Sequence, residues 1–301
     1  MSHYVRQFTI FLLCCVTLTV LVSQVAFRDP KTKATGKLDI KSPPVTPDSI
    51  DFAGERVPME RWEVRERMER EVLFNFYNTP NILHTMKLAS RHFPLISERL
   101  KANGIPDDFK YLCVAESNLE VTARSRVGAT SFWQFMDNTG PGYNLTINPQ
   151  VDQRYDLERA TDAACRYLKD AYNLLGNWTA AAASYNCGMG GYSRQAAFQK
   201  SKNFYDLYLP EETNRYIFRI LTFKHLLSNA ESLGFTLNEA DKYKPVPFTT
   251  QEVRTSIPDL SVFALQNGTN YKMLKILNPW IRGKSLTIAP GKSMTLKLPG
   301  K

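Results

Sequence analysis

The sequence predicts a mainly α-helical protein that ends in a small α+β module. Between residues 58 and 236, apolar residues recur three and four positions apart in several stretches, which is the spacing of one helix face. Strand-like alternation is almost absent there, whereas from Asp241 onward prolines separate short β-prone pieces. With 301 residues and 43% hydrophobic content, the chain is long enough for one sizeable domain (58–236) and one smaller module (241–301).

Residues 1–28 are predicted to be a signal peptide or an N-terminal anchor. Arg6 precedes an uncharged run from Phe8 to Phe27, which is about long enough to cross a bilayer. The small residues that a cleavage site needs are only partly present, so cleavage stays open and an uncleaved anchor is slightly favoured. Either way, we expect the bulk of the chain in the periplasm of the cell envelope, and an uncleaved N-terminal segment would also associate it with the membrane.

A linker, residues 29–57, is predicted next because this stretch is rich in Pro, Lys, Thr and Ser. Pro58 stands where a first helical turn would, and a second helical stretch follows Pro80. Pro94 is expected to interrupt that second helix. The apolar stripe then resumes and stops at Gly104.

The next predicted helix carries a carboxyl group, that of Glu116. An apolar run from Leu112 to Ala115 brings this residue to the end of the helix, and a turn at Gly128 leads into an aromatic and amide segment, Phe132 to Met136. A carboxyl group beside apolar surface has its charged form disfavoured, so its pKa rises. Glu116 is therefore a candidate general acid.

Two later stretches predict core helices. From Ala160 to Leu175 the helical spacing of apolar residues is almost unbroken, and Gly176 follows as a stop signal. The stretch from Pro210 to Phe235 is amphipathic with the same period. Between them, small residues precede Tyr185 and Asn186, and a glycine cluster follows, which suits an extended polar ligand.

The cysteine and histidine residues predict neither a metal site nor a cofactor. Cys113, Cys165 and Cys187 are an odd number for an oxidising compartment. A disulfide between Cys165 and Cys187 is permitted if their helices form an antiparallel hairpin, and buried free thiols are the alternative. The histidines beyond the N-terminal segment have no Cys, Asp or Glu at ligand spacing beside them.

Positive charge is concentrated in the tail from Asp241, which holds ten basic and three acidic residues in a chain of formal net charge +9. A basic surface on an exported protein favours anionic envelope polymers or lipid head groups as partners. Nucleic acid is not a predicted partner, because the chain is expected outside the cytoplasm. A merely solvated surface is the alternative.

Four segments resemble, in order and spacing, the signature motifs of the soluble-lytic-transglycosylase family. They are Glu116-Ser117, Gly128 to Met136, Ala183 to Gly188, and Glu212-Thr213 with Tyr216. The resemblance implies a lysozyme-like, goose-type α+β fold with mostly helices. It also implies non-hydrolytic cleavage of the β-1,4 bond between N-acetylmuramic acid and N-acetylglucosamine in peptidoglycan, giving 1,6-anhydro ends, in cell-wall remodelling.

The same resemblance implies roles for individual residues. Glu116 would be the single catalytic acid and base. The implied substrate-binding residues are Ser125, Gln134, Met136, Tyr185, Asn186, Glu212 and Tyr216. Ser131 stands where the family usually has glycine, and we expect it to narrow the cleft.

The tail is loosely similar to a degenerate LysM module, on the stretches Ser261 to Gln266 and Leu277 to Pro279. Peptidoglycan glycan strands are the predicted partner, and the sequence leaves protein partners open. Two rival functions stay open: a hydrolytic muramidase, with Glu120 or Asp137 as the second carboxylate that hydrolysis needs, and a non-catalytic peptidoglycan-binding protein.

Overall fold

A computed structural model describes residues 42–300 of the chain. The predicted signal or anchor segment lies outside these residues, as does the first part of the predicted linker. Within residues 42–300 no helix combines the length and the apolar character needed to cross a membrane. From Pro44 onward the described chain forms one compact unit.

Seven helices build the main hydrophobic core of the described residues, which confirms the mainly helical prediction. They are α1 (Trp62–Tyr77), α2 (Thr79–Ala102), α3 (Phe109–Ser117), α4 (Leu157–Leu175), α5 (Trp178–Cys187), α6 (Met189–Gln199) and α7 (Glu211–Ser228). Helix α7 is central, since α1, α3 and α5 all pack against it, while α4 packs against α2 and α5.

Helix α4 forms as predicted because its sequence supplies both ends. The Asp156 side chain accepts hydrogen bonds from the backbone of Glu158 and Arg159 at the N-terminus. Gly176, at φ +86°, ends the helix in the left-handed conformation that glycine tolerates best. The Asn177 side chain then caps the start of α5 through the backbone N–H of Ala180, at 2.7 Å.

The prediction that Pro94 interrupts a helix was wrong, because α2 runs through it without a break. A proline inside a helix removes one backbone hydrogen bond and costs about 3 kcal/mol. Ile82 and Leu88 before it, and Ile96 and Leu100 after it, are buried in the same core, so packing on both sides offsets that cost.

Two helix ends also differ from the prediction. Helix α1 begins at Trp62 and not at Pro58. Helix α7 ends at Ser228, before the predicted limit at Phe235. Gly234, at φ +86°, lies in a separate turn after α7, so it is not the residue that ends this helix.

A small hairpin corrects the C-terminal limit of the predicted linker. Strands β1 (Asp51–Phe52) and β2 (Glu55–Arg56) pair antiparallel. Phe52 is fully buried with its ring centroid 5.1 Å from that of Phe109. The Glu55 carboxylate accepts the backbone N–H of Trp178 at 2.6 Å, at the start of α5. Residues from 51 onward therefore belong to the helical core and not to a linker.

The tail forms the predicted α+β module. Strand β3 (Phe248–Val253) pairs antiparallel with β4 (Met294–Pro299), with Val253 opposite Met294. Helices α8 (Leu260–Gln266) and α9 (Tyr271–Leu277) lie between them in sequence. This module has its own buried cluster, which Val151 from the helical region joins and against which Tyr155 packs.

Candidate active site

The last turn of α3 holds Glu116. Asn118, at φ +50°, ends this helix, and the Ser117 hydroxyl donates to the Phe132 carbonyl at 2.9 Å. The end of α3 is therefore fastened to the segment Phe132 to Met136. Glu116 itself is partly exposed as a whole residue, while its carboxyl group faces the interior.

Burial raises the pKa of Glu116 from 4.5 to about 7. A hydrogen bond that the Tyr216 hydroxyl donates to Oε1 and the positive charge of Arg219 both act to lower this pKa, and the negative charge of Glu212 acts to raise it. Burial outweighs the lowering effects. The protonated form of the carboxyl group is therefore available near neutral pH, as a group that first gives a proton requires.

Helix α7 supplies the polar groups around Glu116. Glu212, Tyr216 and Arg219 follow one another at intervals of four and three residues, so they share one face of the helix. Glu212 is exposed and pairs with Arg219 at 3.2 Å. Tyr216 is almost completely buried, and burial raises its pKa well above the usual range. The phenol therefore stays protonated and can donate a hydrogen bond to Glu116.

Helix α5 contributes Tyr185 to the same site. Its hydroxyl donates to the Trp133 carbonyl at 2.8 Å, and its ring packs against those of Tyr167 and Phe135 at centroid distances of 4.9 Å and 6.0 Å. Burial, and next the negative charge of Glu116, raise the pKa of Tyr185. Tyr185 therefore lies near Glu116 as a neutral phenol in an aromatic wall.

Asn186 is exposed next to Tyr185. Its Oδ1 accepts the hydroxyl of Thr213 at 2.9 Å, which links α5 to the first turn of α7. The sequence prediction named Thr213 as part of a motif without giving it a role, and it missed Arg219. The spacing of Arg219, seven residues after Glu212 and three after Tyr216, is the one signal in the sequence that places it on this face.

The other predicted site residues, Ser125, Gln134 and Met136, shape the loop between α3 and α4. The Ser125 hydroxyl accepts the backbone N–H of Ala129 at 3.0 Å. The Gln134 amide donates to the Ser131 carbonyl at 2.7 Å, and the Met136 carbonyl accepts the backbone N–H of Gly140 at 3.0 Å. None of the three hydrogen-bonds Glu116 within the part of the chain that the structure describes.

Ser131 is fully buried at φ +64°, a left-handed conformation that explains why glycine suits this position. Its hydroxyl has no hydrogen-bond partner among residues 42–300. The serine therefore affects the stability of the loop, and its side chain lies in the interior and does not project into open space.

We expect Ser131→Gly to stabilise the protein by about 1 kcal/mol, because it removes left-handed strain and a buried unpaired hydroxyl. Greater backbone freedom in the unfolded chain offsets part of this gain. Thermal unfolding should show a melting temperature higher by about 2–4 °C. Ser131→Ala, which keeps the strain and removes the hydroxyl, is the matched control, and a glycine variant less stable than this alanine variant would contradict the explanation.

Neither predicted second carboxylate belongs beside Glu116. Helix α3 ends before Glu120, which pairs instead with His84 at 2.6 Å. Asp137 is exposed, and its charge acts on Arg154. The carboxylate that acts on Glu116 is that of Glu212, which the prediction had treated only as a supporting residue.

Cys113, Cys165 and Cys187 are all free, so the disulfide that the sequence permits between the last two is not formed. The Cys187 thiol donates to the Ala183 carbonyl at 3.5 Å within its own helix. Burial raises the pKa of Cys165 to about 12, which makes it an unreactive thiol.

Comparisons with known proteins match two parts of the chain to family models. Residues 94–208 match the family model of the transglycosylase SLT domain. This part of the chain is similar to the SLT domain. Residues 249–301 match the model of the soluble lytic transglycosylase C-terminal LysM-like domain, so the tail is similar to a LysM-like module. The SLT match contains Glu116, Tyr185 and the loop between α3 and α4, while Tyr216 lies beyond its C-terminal limit.

The chain is similar to membrane-bound lytic murein transglycosylase D from Escherichia coli strain K12, with 26% identity over 245 residues that cover 78% of this chain and 52% of that protein. The same protein from Escherichia coli O6:H1 strain CFT073 matches with the same identity and coverage. The chain thus spans about half the length of these curated relatives.

Among solved structures, the X-ray structure of an inactive mutant of the lytic transglycosylase Slt from Pseudomonas aeruginosa matches with a TM-score of 0.38 and 20% identity. The match covers 51% of this chain and 26% of that chain.

Proposed function

We propose that this protein is a peptidoglycan lytic transglycosylase in which Glu116 is the single catalytic acid and base. The observation that carries the proposal is the placement of one buried carboxyl group with a pKa of about 7 at the end of α3, hydrogen-bonded by Tyr216, inside an SLT domain. A general acid is most effective when its pKa lies near the working pH, because a large fraction is then protonated and the proton is still readily transferred.

In the proposed reaction, protonated Glu116 donates its proton to the oxygen that links N-acetylmuramic acid to N-acetylglucosamine, and the bond from that oxygen to the anomeric carbon breaks. The resulting carboxylate takes the proton from the 6-hydroxyl of the muramic acid as this oxygen bonds to the anomeric carbon. Glu116 is thereby returned to its protonated form, and no water is consumed. An intramolecular nucleophile of this kind has a high effective molarity.

The other predicted site residues have supporting roles in this proposal. Tyr216 orients the Glu116 carboxyl group, and Tyr185 and Asn186 face the muramic acid. Glu212 sets the local charge. Ser125, Gln134 and Met136 form hydrogen bonds within the loop between α3 and α4. In this proposal, these bonds keep the loop in the shape that lines the cleft.

We further propose that the protein acts on glycan strands in the periplasm during cell-wall remodelling. The basic LysM-like module would contribute glycan binding, since its excess of ten basic over three acidic residues suits an anionic polymer. The N-terminal segment would keep the enzyme at the membrane.

Hydrolysis remains the second candidate, because Glu212 is a carboxylate whose charge reaches Glu116. Its exposure and its pairing with Arg219 favour the role of a charge neighbour over that of a base that activates water. The two alternatives give different results for one variant.

We expect Glu212→Gln to retain turnover and to lower the pKa of Glu116. The change removes a negative charge that raises this pKa and frees Arg219, which lowers it, so both effects have the same sign. The alkaline limb of the kcat/KM profile should therefore move to lower pH. If Glu212 were the base of a hydrolase, the variant would lose at least about 10²-fold in turnover instead.

The proposed activity is tested by incubating the full chain with purified peptidoglycan and measuring soluble muropeptides. The wild-type protein should release them, and Glu116→Gln should not. Binding to the insoluble polymer without release by the wild-type protein would identify the third candidate, a non-catalytic peptidoglycan-binding protein.

A further inference from the structure

Residues 150–152 form the main-chain attachment between the LysM-like module and the SLT domain, and the Tyr155 ring, 4.3 Å from the Arg282 guanidinium, adds a further contact. Val151 is buried in the core of the module. The Gln150 carbonyl accepts the backbone N–H of Arg282 at 2.7 Å, and the Asp152 backbone N–H donates to the Trp280 carbonyl at 2.8 Å. In the sequence, this segment lies between the cleft loop, residues 128–136, and α4. The module therefore contacts residues that follow the loop of the candidate active site.

The side chain of Gln150 adds two contacts at the same attachment. Its Oε1 accepts the backbone N–H of Thr287 at 3.0 Å, and its Nε2 donates to the Ser285 hydroxyl at 3.0 Å. Both the main chain and a side chain of the SLT domain therefore fix the position of the module.

Asp152 connects the attached segment to Arg154, two residues further on, through its side chain. Its carboxylate accepts hydrogen bonds from Nε and Nη2 of Arg154 at 2.9 Å and 2.8 Å, a bidentate pair. Both residues are buried, with exposed fractions of 8% and 7%. A buried guanidinium group and a buried carboxylate each need the other, so the position of one fixes that of the other.

Arg154 in turn holds the cleft loop, residues 128–136. Its Nη1 donates to the Phe135 carbonyl at 3.1 Å and to the Gly128 carbonyl at 3.4 Å, so one guanidinium group joins the two ends of the loop. Within the loop, Ser131 and Gln134 have φ values of +64° and +49°, conformations that persist only when the surroundings impose them.

The cleft loop is directly connected to the proposed catalytic machinery. The Trp133 carbonyl accepts the Tyr185 hydroxyl at 2.8 Å. The Phe132 carbonyl accepts the Ser117 hydroxyl at 2.9 Å, next to Glu116. A shift of this loop would therefore move the aromatic wall relative to the carboxyl group.

From these contacts we propose that Arg154 is a positioning residue for the cleft loop, and that the LysM-like module supports it through Asp152. The module is then a part of the active-site framework as well as a binding module, and its attachment affects turnover on soluble fragments. The effect on rate rests on the proposed function, whereas the effect on loop order does not.

The first test replaces Arg154 by Lys and by Gln in the full chain. Lysine keeps the charge but cannot pair with Asp152 through two atoms and reach the Phe135 carbonyl at the same time. Both variants should lower kcat on soluble glycan fragments by about tenfold or more, measured well below their melting temperatures, since small misplacements around a reacting centre have effects up to about 10²-fold. Arg159→Met is the control, because Arg159 is exposed and lies outside this chain of contacts.

Hydrogen–deuterium exchange of residues 128–136 provides a measurement that does not depend on activity. The Thr130 N–H, which donates to the Phe135 carbonyl at 3.2 Å, should exchange at least about tenfold faster in both Arg154 variants and at the wild-type rate in Arg159→Met. Unchanged exchange in the Arg154 variants would overturn the positioning role, and so would an unchanged kcat accompanied only by a lower melting temperature.

The second test addresses the module. Gln150→Ala removes both side-chain contacts to it, and Gln266→Ala, at an exposed position of α8, is the control. Faster exchange of residues 128–136 in the first variant alone supports transmission from the module, and equal rates in the two variants overturn it. If the wild-type protein releases no product, the proposed function fails, while the exchange measurements still decide both parts of this inference.

Discussion

Glu116→Gln is expected to lower turnover of peptidoglycan by at least about 10²-fold while glycan binding stays nearly unchanged. The amide keeps the volume of the carboxyl group and its hydrogen bond with Tyr216, but it cannot donate a proton to the leaving oxygen. Turnover is measured as soluble muropeptide release, and binding as co-sedimentation with the insoluble polymer. Residual turnover near the wild-type rate would remove Glu116 from the mechanism.

The stability of Glu116→Gln at different pH values tests the raised pKa of Glu116 independently of activity. In the folded protein Glu116 has a pKa of about 7, against an ordinary value of 4.5. The folded state therefore keeps a proton that the unfolded chain loses, and the wild-type protein loses stability as pH rises through this window. Since Gln does not titrate, the melting temperature of the variant relative to wild type should be higher at pH 8 than at pH 4. An equal difference at both pH values would contradict the raised pKa.

Tyr216→Phe is expected to lower kcat by about ten- to a hundredfold. The Tyr216 hydroxyl donates to the Glu116 carboxyl group, and a hydrogen bond to a charged group contributes about 1.5–3 kcal/mol, where 1.36 kcal/mol corresponds to a factor of ten in rate. Because this hydrogen bond lowers the pKa of Glu116, its loss should also move the alkaline limb of kcat/KM to higher pH. Kinetics between pH 4 and pH 9 would measure both effects.

Tyr192→Phe is the matched control for this variant. Tyr192 is also fully buried, and its hydroxyl donates to the Lys202 carbonyl at 2.9 Å, away from Glu116. Tyr192→Phe should lose about as much stability as Tyr216→Phe but keep the kcat and the pH profile of the wild-type protein. A similar loss of kcat in the two variants would show that Tyr216 acts through general packing.

The long periodic helices and the raised pKa of Glu116 could be predicted from the sequence because their signals are local. Helix α4 has a regular apolar face, a capping Asp156 and a terminal Gly176, and these agree with one another. Glu116 follows an apolar run that the structure buries completely from Leu112 to Val114, so its raised pKa was already implied.

The remaining features depend on contacts between distant residues. The β1–β2 hairpin has strands of two residues, too short to show alternation, and Phe52 is fixed by packing on Phe109. Pro94 carries a local stop signal that the packing of α2 overrides. The attachment at Gln150 uses mostly backbone groups, which leave no pattern in the sequence.

The mass and the reducibility of the products test the central claim most directly. Muropeptides from purified peptidoglycan would be treated with sodium borohydride, separated by chromatography and weighed by mass spectrometry. The single-carboxyl mechanism predicts 1,6-anhydro-N-acetylmuramic acid ends, which are lighter by one water than hydrolysis products and resist borohydride. Products that end in reducible muramic acid would contradict the mechanism and make Glu212 the first candidate for the base that activates water.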